Sequence, residues 1–117
     1  MRVTMENKYG VIEISGEVLG NLVGYAATAC FGVVGMANKN KTDGIVNLLR
    51  RDAMDKGVRV ETDGDQLVVD LHIMVEYGVN IPAISRSICN RVTYYMETTT
   101  GLKVKAVNVC VDAMRAQ

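Results

Sequence analysis

Gln66-Leu67-Val68-Val69-Asp70-Leu71-His72-Ile73-Met74-Val75-Glu76-Tyr77 is the stretch around which the rest of the chain is organised. Leu67, Val69, Leu71, Ile73, Val75 and Tyr77 are apolar, and the positions between them are mixed. A period of two predicts a strand with one buried face and one that is at least partly wet. Gly78 breaks the pattern. Asn80 is placed to cap a helix whose first turn holds Pro82, where a missing N–H costs little. Ile81, Ile84, Ile88, Val92 and Tyr95 then fall on one helical stripe, and Gly101 supplies the αL residue that commonly follows a helix C-terminus. Beyond it, Leu102 and Val104 share one strand face while Val107, Val109 and Val111 share the other. That slip of phase predicts a β-bulge near Lys105–Ala106. Residues 66–114 therefore read strand, helix, strand.

Working outward, Val58–Thr62 reads as a strand joined to the long one by a two-residue turn, Asp63-Gly64. With that turn, Thr62 opposes Asp65, Val60 opposes Leu67 and Val58 opposes Val69, so turn chemistry and hydrophobic phase agree. Upstream, Thr42 or Asp43 caps a predicted helix that ends at Gly57. Ile45, Leu48, Leu49 and Ala53 form its apolar side, and Arg50, Arg51, Asp52 and Asp55 its solvated face. Asn38–Asp43 is a polar loop, and Val33–Ala37 a short strand. Ser15 caps a first helix from Gly16 to about Ala29, with Glu17 at the positive end of its dipole. Gly10–Ile14 is a strand with Ile12 and Ile14 inward, and residues 1–8 are a loose arm. The order β-α-(β)-α-β-β-α-β gives an α+β fold: a two-layer sandwich with helices on one face of a mixed sheet. At 117 residues the chain is the size of one domain. Strand order stays open.

Several of these runs resemble the alkaline shock protein (general-stress) family of Gram-positive bacteria. They are Val69-Asp70-Leu71, then Val75-Glu76-Tyr77-Gly78-Val79-Asn80-Ile81-Pro82, then Thr100-Gly101-Leu102-Lys103-Val104-Lys105-Ala106-Val107-Asn108-Val109. Gly10-Val11-Ile12-Glu13-Ile14-Ser15 and Gly24 with Ala26-Ala27 are similar as well, so the resemblance spans roughly residues 9–112. It implies a cytoplasmic, non-enzymatic interaction protein of cell-envelope stress response and homeostasis. It also implies a place at the inner face of the cell membrane through a membrane-anchoring partner, and a link to a fatty-acid kinase component. It transfers no catalytic residue and no cofactor.

Composition narrows the function classes independently. Thirteen basic and thirteen acidic residues balance, whereas a dedicated nucleic-acid binder is normally basic. Cys30, Cys89 and Cys110 are far apart with no Cys-x-x-Cys, which reads as small buried hydrophobes in a reducing compartment. The N-terminus, with Arg2, Glu6 and Lys8, carries no apolar signal-peptide core. Val18–Asn38 is uncharged and long enough to span a bilayer. Val18, Leu19, Leu22, Val23, Ala26 and Cys30 nevertheless form a stripe, with Gly16, Gly20 and Gly24 opposite it to admit another element closely.

Asp70, His72 and Glu76 project from one side of one strand and are the weak candidates for a metal site. The family usually has another residue type at position 72, and a polar outer sheet face is the plainer reading. No Gly-x-Ser-x-Gly, P-loop or Rossmann fingerprint is present. Gly32-Val33-Val34-Gly35 matches the Gly-x-x-Gly of a KH-type clamp in form, so a small RNA-binding KH-like domain is the alternative function. Its two middle valines lack the charge such clamps carry.

The charges also segregate. Residues 38–59 hold six basic residues against three acidic ones, and residues 60–77 hold five acidic residues and no Lys or Arg. Two readings follow: the segments are neighbours that neutralise each other within one chain, or Arg50 and Arg51 meet Glu61, Asp63 and Asp65 of another copy as the contacts of a homo-oligomer. Arg86, Arg91 and Tyr94 on the sparsely charged long helix are further interaction candidates.

Overall fold

The computed structural model describes residues 2–7, 10–39, 46–49 and 56–115, with side chains described at 15–37, 48–49 and 56–115. The elements are β1 (Arg2–Asn7), β2 (Gly10–Ser15), α1 (Gly16–Thr28), β3 (Val33–Lys39), β4 (Val46–Leu48), β5 (Val58–Asp63), β6 (Gln66–Glu76), α2 (Ile81–Thr100) and β7 (Lys103–Arg115). β6 is the strand on which the others register. Along one edge β7 pairs with it in parallel from Gln66↔Lys103 to Glu76↔Arg115. Along the other, β5 covers its first half and β3 its second, both antiparallel. The fold is α+β, with α1 and α2 sharing one core with one face of a mixed sheet.

The expected alternation in β6 holds: Leu67, Val69, Leu71, Ile73 and Val75 are fully buried. Tyr77 does not join them. It lies past the strand end and is 75% exposed, because the turn at Gly78 redirects the chain before the period can continue. On α2 the buried row is Ile84, Ile88, Val92, Met96 and Thr100. Every fourth residue advances about 40° around a helix, so this row winds over the sheet and selects Met96 where Tyr95 was expected. Asn80 and Gly101 cap the helix as predicted, the Asn80 side chain accepting from the Ala83 N–H and the Gly101 N–H donating to Glu97 O. Buried Thr100 donates its hydroxyl to Met96 O at 2.7 Å and accepts the Leu102 N–H at 3.1 Å, so its polar atom is satisfied.

The β5–β6 register differs from the expected one by two residues. Asp63 opposes Gln66, Val60 opposes Val69 and Val58 opposes Leu71, so the turn residues are Gly64 and Asp65. Gly64 has φ +64°, and no described non-glycine residue has positive φ. That is the φ signature of a II′ turn, which places glycine first and spares the aspartate a left-handed backbone. A shift of two leaves every side chain on its original face, so Val58 and Val60 still enter the core.

Three other expectations are corrected. The segment expected to be a loose N-terminal arm holds β1, which pairs with β2 from Arg2↔Ser15 to Asn7↔Gly10. The alternation of Val3 and Met5 with Thr4 and Glu6 is the strand signal for it. The side chains of Ile12 and Ile14 lie outside the described residues. The helix expected from Thr42 or Asp43 to Gly57 is interrupted by β4, which pairs Ala37↔Leu48 to Lys39↔Val46. The run Ile45-Val46-Asn47-Leu48-Leu49 satisfies both periods over its short length, and the open edge of β3 decides between them. Residues 40–45 and 50–55 lie outside the description. In α1, Gly16, Gly20 and Gly24 are on the buried side with Leu19 and Val23, while Val18 is 57% exposed. The glycines thus lie on the buried side of the helix and not opposite it. No helix among the described residues is long and apolar enough to cross a membrane.

The predicted bulge is present. Leu67 pairs with Val104 and Val68 with Ala106, which leaves Lys105 as the extra residue. A second bulge follows at Asp112, between Val111 and Ala113.

Candidate functional site

The helices leave one face of the sheet uncovered, and on it the charged and polar side chains pair off locally. Arg59 meets Glu61 at 2.5 Å on β5, and Lys105 reaches from β7 to Asp63 at 2.5 Å. The Lys105 hydrogen bond, followed by its charge, holds the Asp63 carboxyl below its ordinary range. Asn108 donates to Asp70 at 2.7 Å. His72 Nδ1 stands 3.1 Å from both carboxylate oxygens of Asp112. A carboxylate only accepts, so the proton on that nitrogen faces Asp112 and Nε2 is left outward.

The three residues weighed as a metal set are thereby drawn apart. Asp70 goes to Asn108, and His72 goes to Asp112. No group of three or more His, Cys, Asp and Glu side chains suited to a metal ion occurs among the described residues. Asp112 and Asn108 were not singled out in the sequence. Only the parallel alignment of β7 on β6, shifted by the Lys105 bulge, sets them beside His72 and Asp70.

A concave region lies elsewhere, where β6 passes into α2. Phe31, Glu76, Tyr77, Gly78, Val79, Asn80, Ala83 and Ile84 line a cleft of 440 Å³. Phe31 is 89% exposed and Tyr77 75%, so two aromatic rings stand over a floor that includes nearly buried Ile84. The open carboxyl end of a strand in a βαβ unit is where such folds commonly place ligands. This α2 terminus is poorly equipped for an anion, however. Pro82 has no N–H, and the Ala83 and Ile84 N–H groups are already bonded to Asn80. Glu76 adds a carboxylate to the wall. The cleft is therefore apolar in character, with Phe31 the residue that the sequence did not flag.

The remaining candidates are scattered. Arg86, Arg91 and Tyr94 are exposed on α2, and Tyr94 meets Tyr95 edge-on with ring centroids 5.7 Å apart. Arg50 and Arg51 lie outside the described residues, while two of their expected acidic counterparts, Glu61 and Asp63, are engaged within the chain by Arg59 and Lys105. The Gly-x-x-Gly segment is not a loop between helices. Gly32 closes the turn after α1, and Gly35 lies inside β3 with Leu48 packed over it.

A family model described as the alkaline shock protein 23 family, of cell envelope-related function, matches residues 4–116. The chain belongs to the alkaline shock protein 23 family. Within that family it is 39% identical to YloU of Bacillus subtilis, covering 98% of this chain and 97% of YloU. A stress response regulator gls24 homolog of Streptococcus pyogenes is 32% identical over 105 residues, which are 87% of this chain and 57% of that protein. Among solved structures, a MamM-CTD variant aligns with a TM-score of 0.49 at 16% identity, covering 88% of this chain and 99% of that one. A likeness that weak speaks neither to activity nor to assembly. The alkaline shock protein family to which this chain belongs is described as cell envelope-related, and its Streptococcus pyogenes relative is named as a stress response regulator homolog.

Proposed function

We propose that this chain is a non-enzymatic interaction protein of cell-envelope homeostasis. It works in the cytoplasm, as a homo-oligomer, at the inner face of the membrane and through a membrane-anchoring protein partner. A fatty-acid kinase component is a second partner in this proposal. The supporting observation is the separation of chemistry from concavity. On the open sheet face Asp63 is committed to Lys105, His72 to Asp112 and Asp70 to Asn108. The cleft is instead walled by Phe31, Tyr77, Val79, Ala83 and Ile84, a surface suited to apolar contact rather than bond making.

Affinity purification of the tagged protein from native cells, read by mass spectrometry and by bound RNA, tests the proposal. A membrane protein recovered with the wild type and lost with Phe31→Ser plus Tyr77→Ser is the expected result. Recovery of RNA in place of protein, weakening steeply with salt, would transfer the assignment to nucleic-acid binding.

A further inference from the structure

Beyond the cleft, α2 presents two adjacent rows to solvent. Arg86, Asn90 and Tyr94 form one and Ser87, Arg91 and Tyr95 the other, each stepping four residues at a time. All six are exposed, Tyr94 to 66%. The helix is held by its buried row from Ile84 to Thr100, so the core needs nothing from these two.

An exposed helix face is ordinarily supported by acid–base pairs three or four residues apart. Here there are none. The positions three and four away from Arg86 are Pro82, Ala83, Cys89 and Asn90, and those around Arg91 are Ser87, Ile88, Tyr94 and Tyr95. No carboxylate is among them. Across space the result is the same: among the described residues, neither arginine has an ion pair or a side-chain hydrogen bond. On the open sheet face, by contrast, Arg59 and Lys105 are each held by a carboxylate. Glu97, the single acid of α2, has one carboxylate oxygen committed to the Val104 N–H at 2.9 Å.

A guanidinium carries five donors in a planar fork that matches a carboxylate. Arg86 and Arg91 are five residues apart, about 7.5 Å along the axis, and Tyr94 stands one turn beyond Arg91. Arginine and tyrosine are the residue types that most often dominate binding at protein interfaces. A polyanion fits this face poorly. Two arginines make a small basic field, Glu97 follows them on the helix, Glu76 stands in the cleft before them, and the chain as a whole is neutral. Discrete carboxylates, one for each arginine, match it. The face also runs on from the cleft, since Ala83 lines the cleft and Ser87 and Arg91 follow it in the same row. We infer that α2 docks an acidic segment of the protein partner that enters the Phe31–Tyr77 cleft, with one carboxylate on Arg86 and one on Arg91. The inference deepens the interaction-protein reading and rests on it.

A benzophenone amino acid in place of Tyr94 in the tagged full chain, irradiated in native cells, tests this. Mass spectrometry identifies the cross-linked segment. The expected adduct is to a protein segment with Asp or Glu residues flanking the cross-linked position. Arg86→Glu with Arg91→Glu should abolish that adduct with an unchanged circular dichroism spectrum, and replacing the segment's acids with Lys should restore it. Arg86→Gln with Arg91→Gln adds no repulsion and should still weaken it; if the glutamate pair does not fold, the glutamine pair decides. In lysate the wild-type adduct should weaken as salt is raised. An adduct to a segment without acids, to a second copy of this chain, to RNA or to lipid overturns the inference. So does the absence of any adduct, or one that the folded charge variants leave unchanged. A membrane protein lost with Phe31→Ser plus Tyr77→Ser, yet still recovered when both arginines are replaced, sinks the α2 contact and leaves the proposed function standing.

Discussion

His72 on β6 and Asp112 on β7 are joined by a hydrogen bond shared between both carboxylate oxygens at 3.1 Å. The Asp112 side chain is 13% exposed and His72 is 45% exposed. Asp112 is the extra residue that the second β7 bulge inserts opposite the Ile73–Met74 step. It is a partly solvated contact, so its coupling should be modest. A double-mutant cycle of His72→Ala and Asp112→Ala, followed by urea unfolding, is expected to give a coupling of about 0.5–1 kcal/mol. Recovery of protein partners from cells should be unaffected by His72→Ala, since the ring is assigned no binding role.

Gly64 makes a separable prediction about the hairpin. A Cβ placed there meets nothing within 4 Å, yet φ is +64°. The penalty for a side chain is thus purely conformational. Gly64→Val should cost about 1–2 kcal/mol, seen as a lowered melting temperature. Gly64→Asn should cost less, because asparagine tolerates the left-handed region.

Gly57 carries the opposite kind of constraint. A Cβ there would come within 2.8 Å of the Ala37 carbonyl oxygen. Backbone cannot swing aside as a side-chain tip can, so Gly57→Ala should destabilise the protein even though alanine suits most backbones. An unchanged denaturation midpoint for Gly57→Ala would mean that the β5 entry does not approach β3 this closely.

Met96 and Tyr95 separate the observed α2 stripe from the one expected. Met96 is fully buried and Tyr95 is 37% exposed. Met96→Ala should cost about 2–5 kcal/mol, and Tyr95→Ala clearly less. Denaturant unfolding of the two variants under one set of conditions gives the comparison directly.

The cysteines should react in a fixed order. Burial raises the Cys89 thiol above its ordinary pKa, and its Sγ donates to Val107 O at 3.5 Å. The thiolate is the reactive form. Ellman's reagent at mildly alkaline pH should therefore modify Cys110 first, Cys89 slowly, and Cys30 only as the protein unfolds. Folding favours the protonated Cys89 thiol. That contribution is complete below the unfolded thiol's pKa and fades as pH rises through the folded one. Asp63 has the opposite sign: its pairing with Lys105 contributes above the ordinary carboxylate range and fades as pH falls through the lowered value.

Much of this architecture was legible because two periods were clean. The β6 alternation, the Asn80 and Gly101 caps, the Ser15 cap and the Lys105 bulge all follow from local spacing, and all are present. The failures share a cause of another kind. β4 was missed because its strand identity is conferred by β3, which lies across space rather than beside it in sequence. The hairpin turn moved by two residues because Asp63-Gly64 and Gly64-Asp65 are both acceptable turn pairs, and parity cannot separate registers two apart. The site was the least legible. His72 and Asp70 were flagged, but their partners sit 40 and 38 positions away on a strand whose parallel alignment no local signal encodes. Phe31 looked like one more apolar residue in an apolar stretch.

The parallel pairing of β6 with β7 has a kinetic consequence. β5 and β6 are joined by a two-residue turn and can zip together early, whereas β7 reaches β6 only after the chain has crossed over through all of α2. Non-local parallel contacts form late because closure entropy must be met before pairing repays it. Lys103–Arg115 is thus the segment to be laid down last and to open first. Native-state amide exchange should find β7 among the quickest of the core strands to lose protection, unless a second chain holds it in place.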